Sequence, residues 1–209
     1  MSPNDKTRSG VTIIQSHIDI KSWIERTPTV DEARPARCPK CGAPSCPVGA
    51  PIVIHGHGLR ERQVRGPRTP HAPPATIVIS VRRYLCTACK AVPIVVPREV
   101  RAKRLYIASA MALALALWGH VKLSAKAVRE RVNPAKIMGD SVIGWATLRR
   151  WAKDVAHGKL FVDVPHPPVG SSLRDVAATA AAALAANADA QTRVLPLEHR
   201  AFIGAAHVA

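Results

Sequence analysis

The residues best suited to chemistry in this sequence are four cysteines in two matched pairs. Cys38-Pro39-Lys40-Cys41 and Cys86-Thr87-Ala88-Cys89 each set two thiols three positions apart, so both sulfurs of a pair can point at one metal ion. Four thiolates complete a tetrahedral structural site, which makes Cys38, Cys41, Cys86 and Cys89 the expected ligands of one structural Zn2+. One pair alone would fit a redox motif equally well; two pairs in a chain of five cysteines favour a metal. Cys46 is an alternative for one of the four ligands. His55 and His57, in Ile54-His55-Gly56-His57-Gly58, are further alternatives, although four cysteines already complete the set. Disulfides need an oxidising compartment, and the N-terminus (MSPNDKTRSG) shows no apolar signal region, so the expected location is the cytoplasm, at the nucleoid.

Forty-four residues separate Cys41 from Cys86, against about 15–20 in a compact site. Two β-rich stretches account for the insert. Pro51 to Arg65 and Thr76 to Leu85 each read as a strand, and in the second Ile77, Ile79 and Val81 alternate with Val78, Ser80, Arg82 and Tyr84. The proline-rich run Gly66 to Pro74 between them reads as a turn. Knuckle, strand, loop, strand and knuckle make a zinc ribbon with a long hairpin. It spans 36–97 and closes on the short apolar strand Val92 to Pro97.

The formal net charge of +16 is unevenly distributed. Residues 1–35 are neutral (five basic, five acidic) and 36–97 carry +8 (nine, one). Residues 98–160 carry +9 (thirteen, four), and 161–209 carry −1 (three, four). All the excess therefore lies on the ribbon and the segment after it, the footprint of a nucleic-acid-binding core with neutral extensions. On the ribbon the expected contacts are Arg60, Arg62, Arg65, Arg82 and Arg83; Arg60 and Arg62 share a strand face because side chains repeat every second residue.

After Arg98 the period becomes helical. The most hydrophobic run, Leu105 to Trp118, has 14 residues, too few to cross a bilayer, and reads as a buried helix. No membrane association is expected. Ser124 to Val132 forms a second helix with Ser124 as N-cap, Pro134 to Asp140 a turn, and Ile143 to His157 a third helix stopped by Gly158. Trp145, Leu148, Trp151 and Val155 fall on one apolar face of the third helix, while Thr147, Arg149, Arg150 and Lys153 lie around the rest. This pattern suggests a helix-turn-helix over 98–160, whose last helix would enter the major groove of duplex DNA. Ribbons also serve RNA; the third helix favours DNA. Ser171 and Ser172 with Asp175 resemble a capping box for an alanine-rich helix, Leu173 to Asn187. That helix is expected to pack on the body of the protein or on a partner, including a second copy. Residues 1–35 form an N-terminal extension, disordered over 1–10, with Val11 to Ile24 open to a strand followed by a short helix but left undecided. The fold class is α+β: a small zinc-ribbon domain, an all-α helix-turn-helix domain, then a linker, alanine-rich helix and tail over 161–209.

Through CPKC (38–41), HGHG (55–58), RRYLCTAC (82–89) and WATLRRWAKD (145–154), the chain resembles the N-terminal DNA-binding region of bacterial insertion-sequence transposases and short transposon-associated proteins with the same parts. The resemblance covers about 36–157. It implies that the four cysteines bind the metal and that the third helix contacts transposon-end or regulatory DNA. Cys46, the proline-rich loop and the lack of a catalytic part depart from the pattern. An RNase H-like transposase needs three carboxylates around two metal ions. Asp163 could imitate the first, but 46 residues follow it, with Asp175, Asp189 and Glu198 as the remaining acids, too little chain for a catalytic sheet. The expectation is therefore a DNA-binding protein of mobile-element origin that is not an enzyme. The alternatives are a protein-assembly module and a truncated or active transposase or nuclease.

Overall fold

The computed structural model describes residues 12–135 and 145–208. In it the two β-rich stretches pair as expected. β2 (Ile54–Gly66) and β3 (Ala75–Cys86) form a long antiparallel hairpin, with Ile54 opposite Cys86 at one end and Gly66 opposite Ala75 at the other. At about 3.4 Å per residue the hairpin runs out and back over roughly 40 Å, which is where the residues between the two cysteine pairs go. β4 (Ile94–Val96) pairs antiparallel with β3, and β1 (Ile13–Gln15) pairs parallel with β4, giving the order β1-β4-β3-β2. The undecided stretch before residue 25 thus holds a strand and then a helix, α1 (Ile20–Glu25), capped by the Asp19 carboxylate on the Ser22 N–H.

The described part of the segment placed by sequence in an N-terminal extension, residues 12–35, joins the sheet through β1 and packs against its core. Trp23 is buried and its indole N–H donates to the Ser80 carbonyl at 2.8 Å. The Tyr84 hydroxyl reaches the Val30 carbonyl at 2.6 Å, and Arg34 donates to the Ile54 carbonyl at 2.7 Å. The first two bonds satisfy polar groups on buried aromatic side chains, which would otherwise cost about 1–3 kcal/mol each.

The remaining chain is helical. α2 (Ala108–Gly119) is buried at every one of its twelve residues, with α3 (Ala125–Val132), α4 (Ala146–Ala156), α5 (Leu173–Ala186) and α6 (Leu197–His207) packed around it. A helix apolar on all sides must be covered on all sides, and small residues allow close approach. A Cβ on Gly119 would lie 2.3 Å from the Ala178 backbone nitrogen on α5, and one on Gly204 would collide with the Leu184 carbonyl. The alanine-rich helix therefore packs on the body of the protein. It begins with the expected capping pair, Ser172 accepting from the Asp175 N–H at 3.2 Å and donating to the Asp175 carboxylate at 2.6 Å. The C-terminal tail, unreadable in sequence, supplies α6. Among the described residues no helix is long and apolar enough to cross a membrane.

Sheet and helices meet along 98–107. The buried Glu99 carboxylate accepts from the Ile20 N–H at 2.9 Å while its backbone carbonyl takes the Ala108 N–H at 2.8 Å, at the start of α2. Arg65 at the far end of β2 bonds through its backbone to Leu105 and Ile107. The tip of the hairpin is held by Arg131, which donates to the Pro70 carbonyl at 3.2 Å, and by an edge-on contact of His71 with His199, ring centres 4.2 Å apart. One hydrophobic core is continuous across both parts.

Replacing Gly119 by alanine should therefore cost about 1–3 kcal/mol through forced separation of α2 and α5. Ala182→Ser on the exposed side of α5 should change stability by about 0.5 kcal/mol or less. Denaturant unfolding of the two variants checks this.

Candidate metal centre

Both cysteine pairs are tight turns with the same backbone construction. In the first, the Cys38 N–H donates to the Ala43 carbonyl at 2.9 Å and the Gly42 N–H to the Cys38 carbonyl at 2.9 Å. In the second, the Cys86 N–H donates to Ala91 at 3.0 Å and the Lys90 N–H to Cys86 at 2.8 Å. The residue after each second cysteine has positive φ, +74° at Gly42 and +60° at Lys90. The repeated unit is Cys-x-x-Cys, then a left-handed residue, then alanine. Lysine in the second copy conceals that equivalence from a search for glycine. The second knuckle is also the turn that joins β3 to β4, and the first is flanked by a bridge between Arg37 and Pro44. Thr87 ties the two halves together, its N–H donating to the Val53 carbonyl at 2.9 Å.

The four sulfurs converge. All lie within 4.8 Å of one another, with Cys38 to Cys89 at 3.6 Å and Cys41 to Cys86 at 3.8 Å, and all are free thiols. A tetrahedron with metal–sulfur bonds of about 2.3 Å has edges of about 3.8 Å, so the donor set fits one soft tetrahedral cation. Cys38 and Cys86 are buried, while Cys41 is exposed. Burial opposes ionisation of Cys38, but the N–H groups of Cys41 and Lys40 and the neighbouring sulfurs outweigh it and draw the thiol down to about 7. The Ala43 N–H favours the Cys41 thiolate, yet the sulfurs of Cys89, Cys38 and Cys86 and partial burial push that thiol up to about 12. Crowded sulfurs resist shared ionisation unless a cation joins them, and metal binding drives off their protons.

Cys46 is exposed and outside the cluster, as are the exposed His55 and His57. The His-Gly element has a backbone role instead. The β2–β3 register shifts between Gly56 and Leu59, Gly58 sits at φ +85°, and a Cβ on Gly56 would come within 2.9 Å of Val30. No other group of three or more potential metal-ligating side chains occurs among the described residues. Asp175 caps α5, and Asp163 is exposed beside Arg101, favouring the charge that burial disfavours there.

The expected DNA-contacting residues fall into two sets. Arg62 turns inward, its guanidinium donating to the carbonyls of Arg101 at 2.7 Å and Arg104 at 3.1 Å, and burial lowers its pKa. Arg82 donates to the Pro28 carbonyl at 2.7 Å, and Arg83 is half-buried opposite Ile94. Arg60 is exposed on the edge strand β2, while Arg65 is half-buried at the join with the helices. On α4, Trp145, Leu148, Trp151 and Val155 are all buried; Arg149, Arg150 and Lys153 are exposed and Thr147 is half-buried. Tyr106 stacks edge-on with Trp151 at 4.9 Å and its hydroxyl donates to the Asn133 side-chain oxygen at 2.8 Å, so it joins the end of α3 to α4. Much of the turn expected between those helices, residues 136–140, and the expected start of the third at Ile143 lie outside the described residues. The sequence reading missed Lys103, Arg104 and Arg129, which join Arg65 and Arg150 around one cleft. Only the regional charge excess pointed to them.

Comparison of the chain with protein-family models, with curated proteins and with solved structures found no match.

Metal analysis of protein produced in zinc-supplemented medium should give about one equivalent per chain, kept in Cys46→Ser and lost in Cys86→Ser. Gly42→Ala should cost about 1–2 kcal/mol through its left-handed backbone alone, because no atom lies within 4 Å of the added Cβ. Its metal content should stay unchanged.

Proposed function

We propose that this chain is a zinc-dependent DNA-binding protein of mobile-element origin, related to the DNA-binding part of insertion-sequence transposases. The observation that carries the reading is the two-sidedness of α4. It fixes its aromatic face in the core and turns Arg149, Arg150 and Lys153 to solvent. Eleven residues give a rod of about 16 Å, suited to a major groove about 12 Å wide. In this reading the α3–α4 pair acts as the helix-turn-helix, and Arg149, Arg150 and Lys153 supply phosphate and base contacts. Zinc on Cys38, Cys41, Cys86 and Cys89 fixes the hairpin. Arg60 adds a further contact, while Arg62 and Arg82 hold the frame through backbone carbonyls.

Duplex DNA is favoured over duplex RNA because the A-form major groove is too narrow for a helix to read. The assembly-module alternative would need a surface other than the face of α5 that α2 and α6 already cover.

With roughly six phosphate contacts, affinity for a short duplex should fall with salt at a log–log slope of about −5. Arg149→Gln with Lys153→Gln should weaken binding and flatten that slope by about 2. Fluorescence anisotropy at several salt concentrations reads both, with duplex RNA as competitor. Binding that ignores salt, or that the double variant leaves intact, would overturn the reading.

A further inference from the structure

Between the end of β2, the 103–106 turn, the end of α3 and the start of α4 lies an open cleft of about 600 Å³. Arg65, Lys103, Arg104, Arg129 and Arg150 line it, and no carboxylate stands among its described lining residues. Five cations from four separate stretches of chain repel one another, so their convergence has a cost that an anion would remove. Arg104 is partly neutralised by Asp154 at 2.7 Å, which also ties the turn to α4. The Nε atoms of Arg65 and Arg129 are buried and have no partner among the described residues. Burial raises the pKa of Tyr106 on the cleft wall, while the charge and a hydrogen bond of Arg65 and the charge of Arg129 act against that shift. Trp145, Ala146 and Thr147, at the N-terminal end of α4, complete one wall, where the helix dipole adds positive potential. Lys103 holds φ +58° in the turn, a left-handed conformation that lysine rarely adopts.

We propose that this cleft is a phosphate-binding site that grips a phosphate-bearing segment of a nucleic-acid strand beside the exposed face of α4. Its volume lies within the range of small-ligand sites, about 300–1,000 Å³, and admits a nucleotide-sized group. Four of the five cations on the wall are arginines, whose planar guanidinium forks match phosphate oxygens. The choice of a strand as ligand rests on the DNA-binding reading; a free phosphate compound shares the chemistry.

The test uses the full-length, zinc-loaded protein, with a 20-base-pair duplex and inorganic pyrophosphate as probes. The variants are Arg129→Gln and Lys103→Gln, the second at an exposed turn where loss of fold is not expected; Arg149→Gln with Lys153→Gln is the reference. Melting curves confirm that each variant is folded. The expected result is severalfold weaker duplex binding in each cleft variant, with the salt slope reduced by about 1 per charge. Unchanged duplex binding with lost pyrophosphate binding would keep the phosphate site and assign it to a free phosphate compound. If both cleft variants bind duplex and pyrophosphate as the parent does, the proposal is overturned. The reference variant shows separately whether the DNA-binding reading survives.

Discussion

Four sulfurs drawn to one point are the constraint on which the sheet depends. The cysteine pairs lie 44 residues apart in sequence, and closing such a loop costs on the order of 3 kcal/mol beyond a constant term. A structural zinc in comparable small domains contributes about 10–16 kcal/mol of binding free energy at neutral pH, several times that cost. A metal bound there would join the β3–β4 turn to the chain entering β2 and so hold one end of the hairpin. The other end is embedded in the helices, through Gly66 against Ala110 and Arg65 against the 105–107 backbone. With a metal bound, the hairpin would be fixed at both ends and would act as a two-stranded strut between the knuckles and the helical part.

Arginine serves two purposes in this molecule, and burial separates them. Where a guanidinium meets unpaired carbonyls at a join, as Arg62 does at the 101–104 turn and Arg82 at Pro28, it satisfies the backbone and is unavailable to a ligand. Where the side chain stands on an exposed helix face, as at Arg149 and Arg150, the charge remains at the surface. Formal charge counts treat both alike. The basic cleft lies between these extremes: Arg65, Arg104 and Arg129 are half-buried, and no carboxylate stands among the described lining residues. Such a place gains most from an incoming anion, because screening by solvent is weakest there.

Much of this was legible in the sequence where one local rule governed. The Cys-x-x-Cys spacing marked the sulfur cluster, alternation marked β3, and the Trp145, Leu148, Trp151 and Val155 period marked the buried face of α4. Less was legible where partners are distant in sequence. β1 is three residues long and is specified by its parallel pairing with β4, some eighty positions away. α6 has only a weak amphipathic pattern of its own and is defined by the close approach of Gly204 to Leu184. The equivalence of Gly42 and Lys90 was present in the letters but disguised, since lysine seldom takes a left-handed backbone. The cleft was invisible because its cations come from β2, the 103–106 turn, α3 and α4, and nothing in their spacing brings them together.

The most direct test of the central claim is X-ray absorption at the zinc edge on protein purified with its metal. A metal held by Cys38, Cys41, Cys86 and Cys89 should show four sulfur neighbours at about 2.3 Å and no nitrogen shell. A mixed sulfur–nitrogen shell would bring His55 or His57 into the site, and a zinc-free protein that melts cooperatively at the same temperature would contradict the account.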